Sequence, residues 1–111
     1  MLVTITDANA IQQTLAVTGQ EAITAIDGQI LAVNASQTIV SGTSLRSGWI
    51  FQNTSAQTLY VEDVNSTAVI GKGYQVAAGQ ILSTNAGIPN SANAIQVIGL
   101  SAGLTYTFRQ W

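Results

Sequence analysis

The chain has 111 residues with three basic and five acidic side chains, a formal charge of −2, and neither cysteine nor histidine. That length is one domain with a modest core, and the composition excludes disulfides, thiolate metal sites and imidazole general bases. Three scattered bases leave no electrostatic footprint for nucleic acid or an anionic membrane surface.

The N-terminal stretch MLVTITDANAIQQ lacks the basic and long apolar segments of a signal peptide. No run of 18 apolar residues is long enough for a membrane helix. The expectation is therefore a protein made in the cytoplasm with no membrane partner. Its polarity comes from Ser, Thr, Asn and Gln, 40 of the 111 residues. Hydroxyls and amides wet a surface without giving it a field, which suits packing against a partner or against copies of the same chain.

In chain order, Leu2–Ile5 is the first strand candidate. Ile11–Val17 is a strand or an extended arm: Ile11 and Leu15 have helical spacing, but Thr14, Val17 and Thr18 favour extended backbone. Residues 1–20 are thus an N-terminal arm or first strand, and residues 21–111 a β domain. Asp27-Gly28 separates two apolar runs, which predicts a two-residue hairpin turn. Gln37–Val40 is a further short strand. In Arg46–Asp63, Trp49-Ile50-Phe51 and Thr58-Leu59-Tyr60-Val61 flank a short Asn/Ser loop, the pattern of two antiparallel strands.

Gly71-Lys72-Gly73 predicts a turn before Tyr74–Val76, and Ala78-Gly79 a second before Ile81-Leu82. Residues 83–93 are irregular and hold the only proline. Ile95–Leu100 is a strand, Ser101-Ala102-Gly103 a tight turn, and Leu104–Arg109 the closing strand. In that strand Leu104, Tyr106 and Phe108 share one face and Thr105, Thr107 and Arg109 the other, the alternation of a half-buried strand. Strands every 8–12 residues without an amphipathic helix predict an all-β, single-domain antiparallel β-sandwich or barrel, jelly-roll-like, with an arm if residues 1–20 stand apart.

The chemistry-bearing residues are few. The acids are Asp7, Glu21, Asp27, Glu62 and Asp63. Adjacent Glu62 and Asp63 point to opposite faces of a strand, so they are no glycosidase pair, and nucleophilic triads lack a base. No enzymatic activity and no cofactor are expected. Glu62, Asp63 and Asn65 offer hard oxygen ligands, but not at the spacing of a calcium loop, so no metal is expected. The glycosylation sequons at Asn34, Asn53 and Asn65 follow from a composition rich in Asn, Ser and Thr. Trp49, Phe51, Tyr60, Tyr74, Tyr106 and Phe108 read mainly as core, whereas Trp111 either packs back on the domain or is presented to a partner.

From Thr43 onward, four segments carry a resemblance. They are Arg46-Ser47-Gly48-Trp49-Ile50-Phe51-Gln52-Asn53 followed by Leu59-Tyr60-Val61, then Val76-Ala77-Ala78-Gly79-Gln80-Ile81-Leu82, then Gly103 through Trp111. Over about 65 residues this order resembles the small virion proteins of tailed bacteriophages, the capsid cement or decoration proteins. The resemblance implies a homotrimeric structural protein on the capsid surface that bridges major capsid subunits and stabilises the shell. It implies partner contacts from the arm residues Leu2, Val3, Ile5 and Ile11, and from Arg46, Trp49, Tyr60, Arg109 and Trp111. The alternative is a glycan- or receptor-binding β module of a phage fibre, which would need an exposed Trp/Tyr cluster.

Overall fold

The computed structural model describes residues 23–64, 66–86 and 88–111. Among the described residues, eight strands form two four-stranded antiparallel sheets. They are β1 (Thr24–Gln29), β2 (Gln37–Val40), β3 (Trp49–Asn53), β4 (Leu59–Glu62), β5 (Tyr74–Val76), β6 (Ile81–Ser83), β7 (Ile95–Gly99) and β8 (Thr105–Gln110). A single 3₁₀ turn, Thr84–Ala86, follows β6. One sheet has the order β1-β8-β3-β6 and the other β2-β7-β4-β5.

The pairing has a simple logic. β1 pairs with β8, β2 with β7, β3 with β6 and β4 with β5. That is one long antiparallel ribbon, folded on itself so that β3 also meets β8 and β4 meets β7. Every connection except β4–β5 passes from one sheet to the other. This connectivity is a jelly roll, and the fold class expected from the sequence holds.

Period-two alternation supplies the core. β3 buries Trp49, Phe51 and Asn53, β8 buries Tyr106 and Phe108, and β4 and β7 bury Leu59, Val61, Ile95 and Val97 from the opposite sheet. Across β3 and β8 the aromatic rings stack diagonally, Trp49 on Phe108 at 5.9 Å and Phe51 on Tyr106 at 5.4 Å. Such rings dominate burial in a domain this small.

Two local expectations are corrected. Asp27-Gly28 is no turn. Both residues lie inside β1, with Asp27 opposite Thr107 and Gly28 opposite Tyr106. The glycine is there for space, since a Cβ at Gly28 would stand 2.6 Å from the Tyr106 hydroxyl. The run after it, residues 30–36, is a connection rather than a strand.

The Arg46–Asp63 stretch holds both expected strands, but they do not pair with each other. β3 and β4 sit in opposite sheets, and residues 54–58 arch between them. Each strand buries alternate residues, and that pattern serves a hairpin and an arch equally well. β8 and β7, far along the chain, claim the pairing edges. The turn expected at Gly71-Lys72-Gly73 is present, with Gly73 at φ +72 and its Cα so close to the Val61 carbonyl that a Cβ would stand 2.6 Å from it.

The topology sorts the loops into two groups. Residues 30–36, 54–58, 77–80 and 100–104 lie at one end of the sandwich, and residues 41–48, 63–73 and 84–94 lie at the other with Ile23 and Trp111. The 63–73 loop also folds back outside the second sheet, where the Ala68 amide donates to Ser36 Oγ at 2.9 Å. Ala68 and Ile98 are both buried there.

Candidate functional site

Of the residues expected to meet a partner, Leu2, Val3, Ile5 and Ile11 lie outside the described residues. Arg46 and Trp49 are buried, which corrects the expectation that they face one. The reason differs for each. Trp49 occupies an inward position of β3 and is held by packing and by stacking on Phe108; its indole Nε1 has no hydrogen-bond partner among the described residues.

Arg46 is 5% exposed and its guanidinium is spent on its own chain. Nε donates to Gln110 Oε1 at 2.8 Å, Nη2 to the Ser41 carbonyl at 3.1 Å, and Nη1 to the carbonyls of Asn93 (2.9 Å) and Ser91. Its own carbonyl accepts from Asn90 Nδ2 at 2.6 Å. The planar fork of arginine suits this task, because several donors reach several fixed carbonyls at once.

Asp63 completes the knot. Its carbonyl accepts from Ser91 Oγ at 2.8 Å and Asn93 Nδ2 at 3.2 Å. Four segments are thereby tied together at the terminal end of the sandwich: residues 41–46, the end of β4, residues 90–93 and the end of β8. Burial pushes the Asp63 carboxyl above its ordinary value; the Asp63 backbone amide pulls it down, the negative Glu62 raises it further and the nearby Arg46 charge lowers it. Burial lowers the Arg46 pKa, and the Asp63 charge opposes that.

The sign of the pH effect follows. A carboxyl whose folded pKa is raised binds its proton more tightly in the folded state, so its contribution to stability is fullest below the unfolded value of about 3.9 and is lost as pH rises through the folded one. Compared with Asp63→Asn, the wild type should therefore do best near pH 3 and lose ground towards pH 7. Paired melting curves read this difference. A wild-type advantage that grew with pH would mean that Arg46 attraction outweighs burial.

The remaining expected residues do not converge. Arg109 is on the outer face of the first sheet, 3.3 Å from Asp27, with side chains 40% and 71% exposed. A pair this wet is worth about 0–1 kcal/mol. Tyr60 is half-buried on the outer face of the second sheet, opposite Ile98 and Gln75. Trp111 packs back on the domain: its amide and carbonyl pair with Gly48 at 3.1 and 3.2 Å, and a Cβ at Gly48 would stand 2.7 Å from its ring. These residues form no common site. Among the described residues no cluster of three or more Asp or Glu is placed to hold a metal, and no helix is long and apolar enough to cross a membrane. Asn65, considered with Glu62 and Asp63 as an oxygen ligand, lies outside the described residues.

A shallow groove of about 370 Å³ runs along β1 and β8, lined by Asp27, Gln29, Thr54, Thr105 and Thr107 over Tyr106. Two of its hydroxyls, those of Thr54 and Thr105, bond to each other at 2.8 Å, and Asp27 pairs with Arg109 outside the groove.

The surface that sequence reasoning missed is the other end of the sandwich. None of its four loops, residues 30–36, 54–58, 77–80 and 100–104, contains a charged residue. Leu31, Val33 and Leu100 are 73%, 55% and 49% exposed there. The loops are held in place. Ile30 exchanges backbone bonds with Leu104 and Gly103 at 2.8 Å, and the Asn34 amide donates to the Gly99 carbonyl at 3.0 Å.

Buried Asn53 anchors the arch beside them. Its Nδ2 donates to the carbonyls of Gln57 (2.7 Å) and Val76 (2.8 Å), and its Oδ1 accepts from the Ser55 amide (2.9 Å) and hydroxyl (2.7 Å). The four loops are separate in sequence, so only the absence of charge from each of them could have signalled a common surface. Compared with known proteins, the chain matches no family model, no curated protein and no solved structure.

Proposed function

We propose that this chain is a non-enzymatic virion structural protein, which binds the outside of a phage capsid and stabilises the shell by bridging major capsid subunits. The observation that carries the reading is where its polar chemistry goes. Arg46, Asp63 and Asn53 are buried and tie the protein's own loops, while the exterior of the described residues carries only Asp27, Glu62, Lys72 and Arg109 as charges and offers an uncharged end with exposed aliphatic side chains. Such a surface is built for burial against protein, where depletion of charge marks the centre of an interface.

As a homotrimer on the shell, the protein would gain avidity from several weak contacts, because each further contact is intramolecular once the first is made. Against the glycan-binding alternative, Trp49, Phe51, Tyr106 and Phe108 are interior, which leaves Tyr60, Tyr74 and Trp111 as the partly exposed aromatics. Co-sedimentation with expanded phage shells tests the proposal. The expected result is saturable pelleting with the shells and a rise in their disruption temperature. A protein that stays in the supernatant and is retained on a glycan array would overturn it.

A further inference from the structure

We infer that residues 13–17 of this chain lie antiparallel along the open edge of β1, as a further strand of the first sheet. The edge itself points to this. Of the four edge strands, β5 and β6 have three residues each, and β2 has four with a register shift between Thr38 and Val40. Short and irregular edges resist pairing. β1 has six residues in unbroken register with β8, and no other strand among the described residues pairs with it.

The groups left over on β1 can be named. The Ile30 amide donates to the Leu104 carbonyl at 2.8 Å, in line with the β1–β8 register. Along an antiparallel strand, residues that bond to one neighbour alternate with residues that face away from it. Ile26 and Gly28 therefore bond to β8, and the backbone groups of Ala25, Asp27 and Gln29 point to the open side. Gln29 agrees with this parity, because its carbonyl accepts from Gln37 Nε2 at 2.9 Å. Ala25 and Asp27 each offer an amide and a carbonyl to an incoming strand.

The core is short of cover along the same edge. The inward residues Trp49, Phe51, Tyr106 and Phe108 of the neighbouring strands are buried, whereas Ile26 of β1 and Ile39 of β2, the strand that Gln37 ties to it, are only partly buried.

The segment that leads into β1 fits the vacancy. Gln13, Leu15 and Val17 alternate with Thr14 and Ala16, so a strand here sets its two aliphatic side chains on one face. With Leu15 opposite Ile26, Val17 falls opposite Thr24 and Gln13 opposite Gly28, and all three take the inward side. Leu15 and Val17 then cover Ile26. Gln13 stands near the Tyr106 hydroxyl, which Gln37 Nε2 already approaches at 3.4 Å. Thr14 and Ala16 exchange backbone bonds with Asp27 and Ala25, and residues 18–23, with Gly19 among them, make the reversal.

The tether selects this occupant. A segment joined to the edge by so short a linker is held there at a high effective concentration, which a free partner has to match. Partner contacts of the arm are then left to Leu2, Val3, Ile5 and Ile11, and the inference holds whether or not the protein binds a capsid.

Amide exchange of the full chain, read by nuclear magnetic resonance, is the test. The amides of Ala25 and Asp27 are expected to be as well protected as those of Ile26 and Gly28, with Thr14 and Ala16 protected too, and dilution should change none of them. Leu15→Asp places a charge on the inward side and should speed exchange at Ala25 and Asp27 by about tenfold or more, the effect of losing one buried leucine. Ala16→Asp places the same charge on the outward side and should leave them within about twofold.

Unchanged exchange in β3 and β8 separates loss of this strand from unfolding. If Leu15→Asp disturbs those strands, Leu15→Ser takes its place with the same expected direction. Free exchange at Ala25 and Asp27 beside protected Ile26 and Gly28 overturns the inference. So do equal effects of Leu15→Asp and Ala16→Asp, and so does protection that falls on dilution, which would assign the strand to a second copy.

Discussion

Replacing Arg46 with methionine is expected to lower stability by about 3–5 kcal/mol, because it takes a charged donor from four acceptors in a part-buried site. The carbonyls of Ser41, Ser91 and Asn93 and the side chain of Gln110 would all lose a donor. Asp63, buried beside them, would lose the positive charge that favours its ionised form. For a domain of this size a loss of 1 kcal/mol is worth roughly 4–5 °C, so the melting temperature should fall by about 12–25 °C. Arg46→Lys should recover only a minor part of this, because an ammonium cannot reach carbonyls on both sides of the knot. Thermal melts of the three proteins decide the matter. A loss below about 1 kcal/mol for Arg46→Met would show that water replaces the guanidinium and that the knot holds nothing together.

Asn53→Ala carries the second large effect, about 2–4 kcal/mol, from leaving two carbonyls without a donor: about 1–3 kcal/mol for the buried one and about 0.5–1.5 kcal/mol for the one nearer the surface. The Gln57 and Val76 carbonyls are those acceptors, and the turn at Ser55 loses the oxygen that both its amide and its hydroxyl donate to. The network and the side-chain volume can be separated. Asn53→Asp keeps the shape but turns two donations into repulsions, so it should be destabilised at pH 7 and recover when acid restores a proton. Urea unfolding at pH 7 and pH 4 measures both. Equal stability of Asn53→Asp and the wild type at pH 7 would rule out the donor role assigned to the amide.

The two knots show how far local sequence carries. Arg46 reads as a surface cation at a strand end, since three bases in 111 residues give no hint that one is interior. Its partners are 64, 47 and 45 residues away. Asn53 reads as the first residue of a polar loop, and three of its bonds are to residues within four positions, so its turn role was legible. Its bond to Val76, 23 residues on, was not. Asp27-Gly28 failed for the same reason. The dipeptide has the chemistry of a turn, but a tyrosine 78 positions away occupies the space over Gly28. For Leu2, Val3, Ile5 and Ile11 the expectation of a partner contact stands as a proposal.

By itself the sequence determined that this chain is all-β, where most of the strands lie, and that Tyr106 and Phe108 share one face of β8. Alternation with period two and the turn residues around Gly73 are properties of a few neighbouring residues, and physics local to the strand enforces them. Only the tertiary structure decided which strands lie side by side, that β3 and β4 arch between sheets, that Arg46 is interior, and that four uncharged loops meet at one end. Alternation says which side of a strand faces the core and nothing about its neighbour. In a jelly roll the first strand pairs with the last, so its neighbours are chosen by how the whole ribbon closes over its aromatic core.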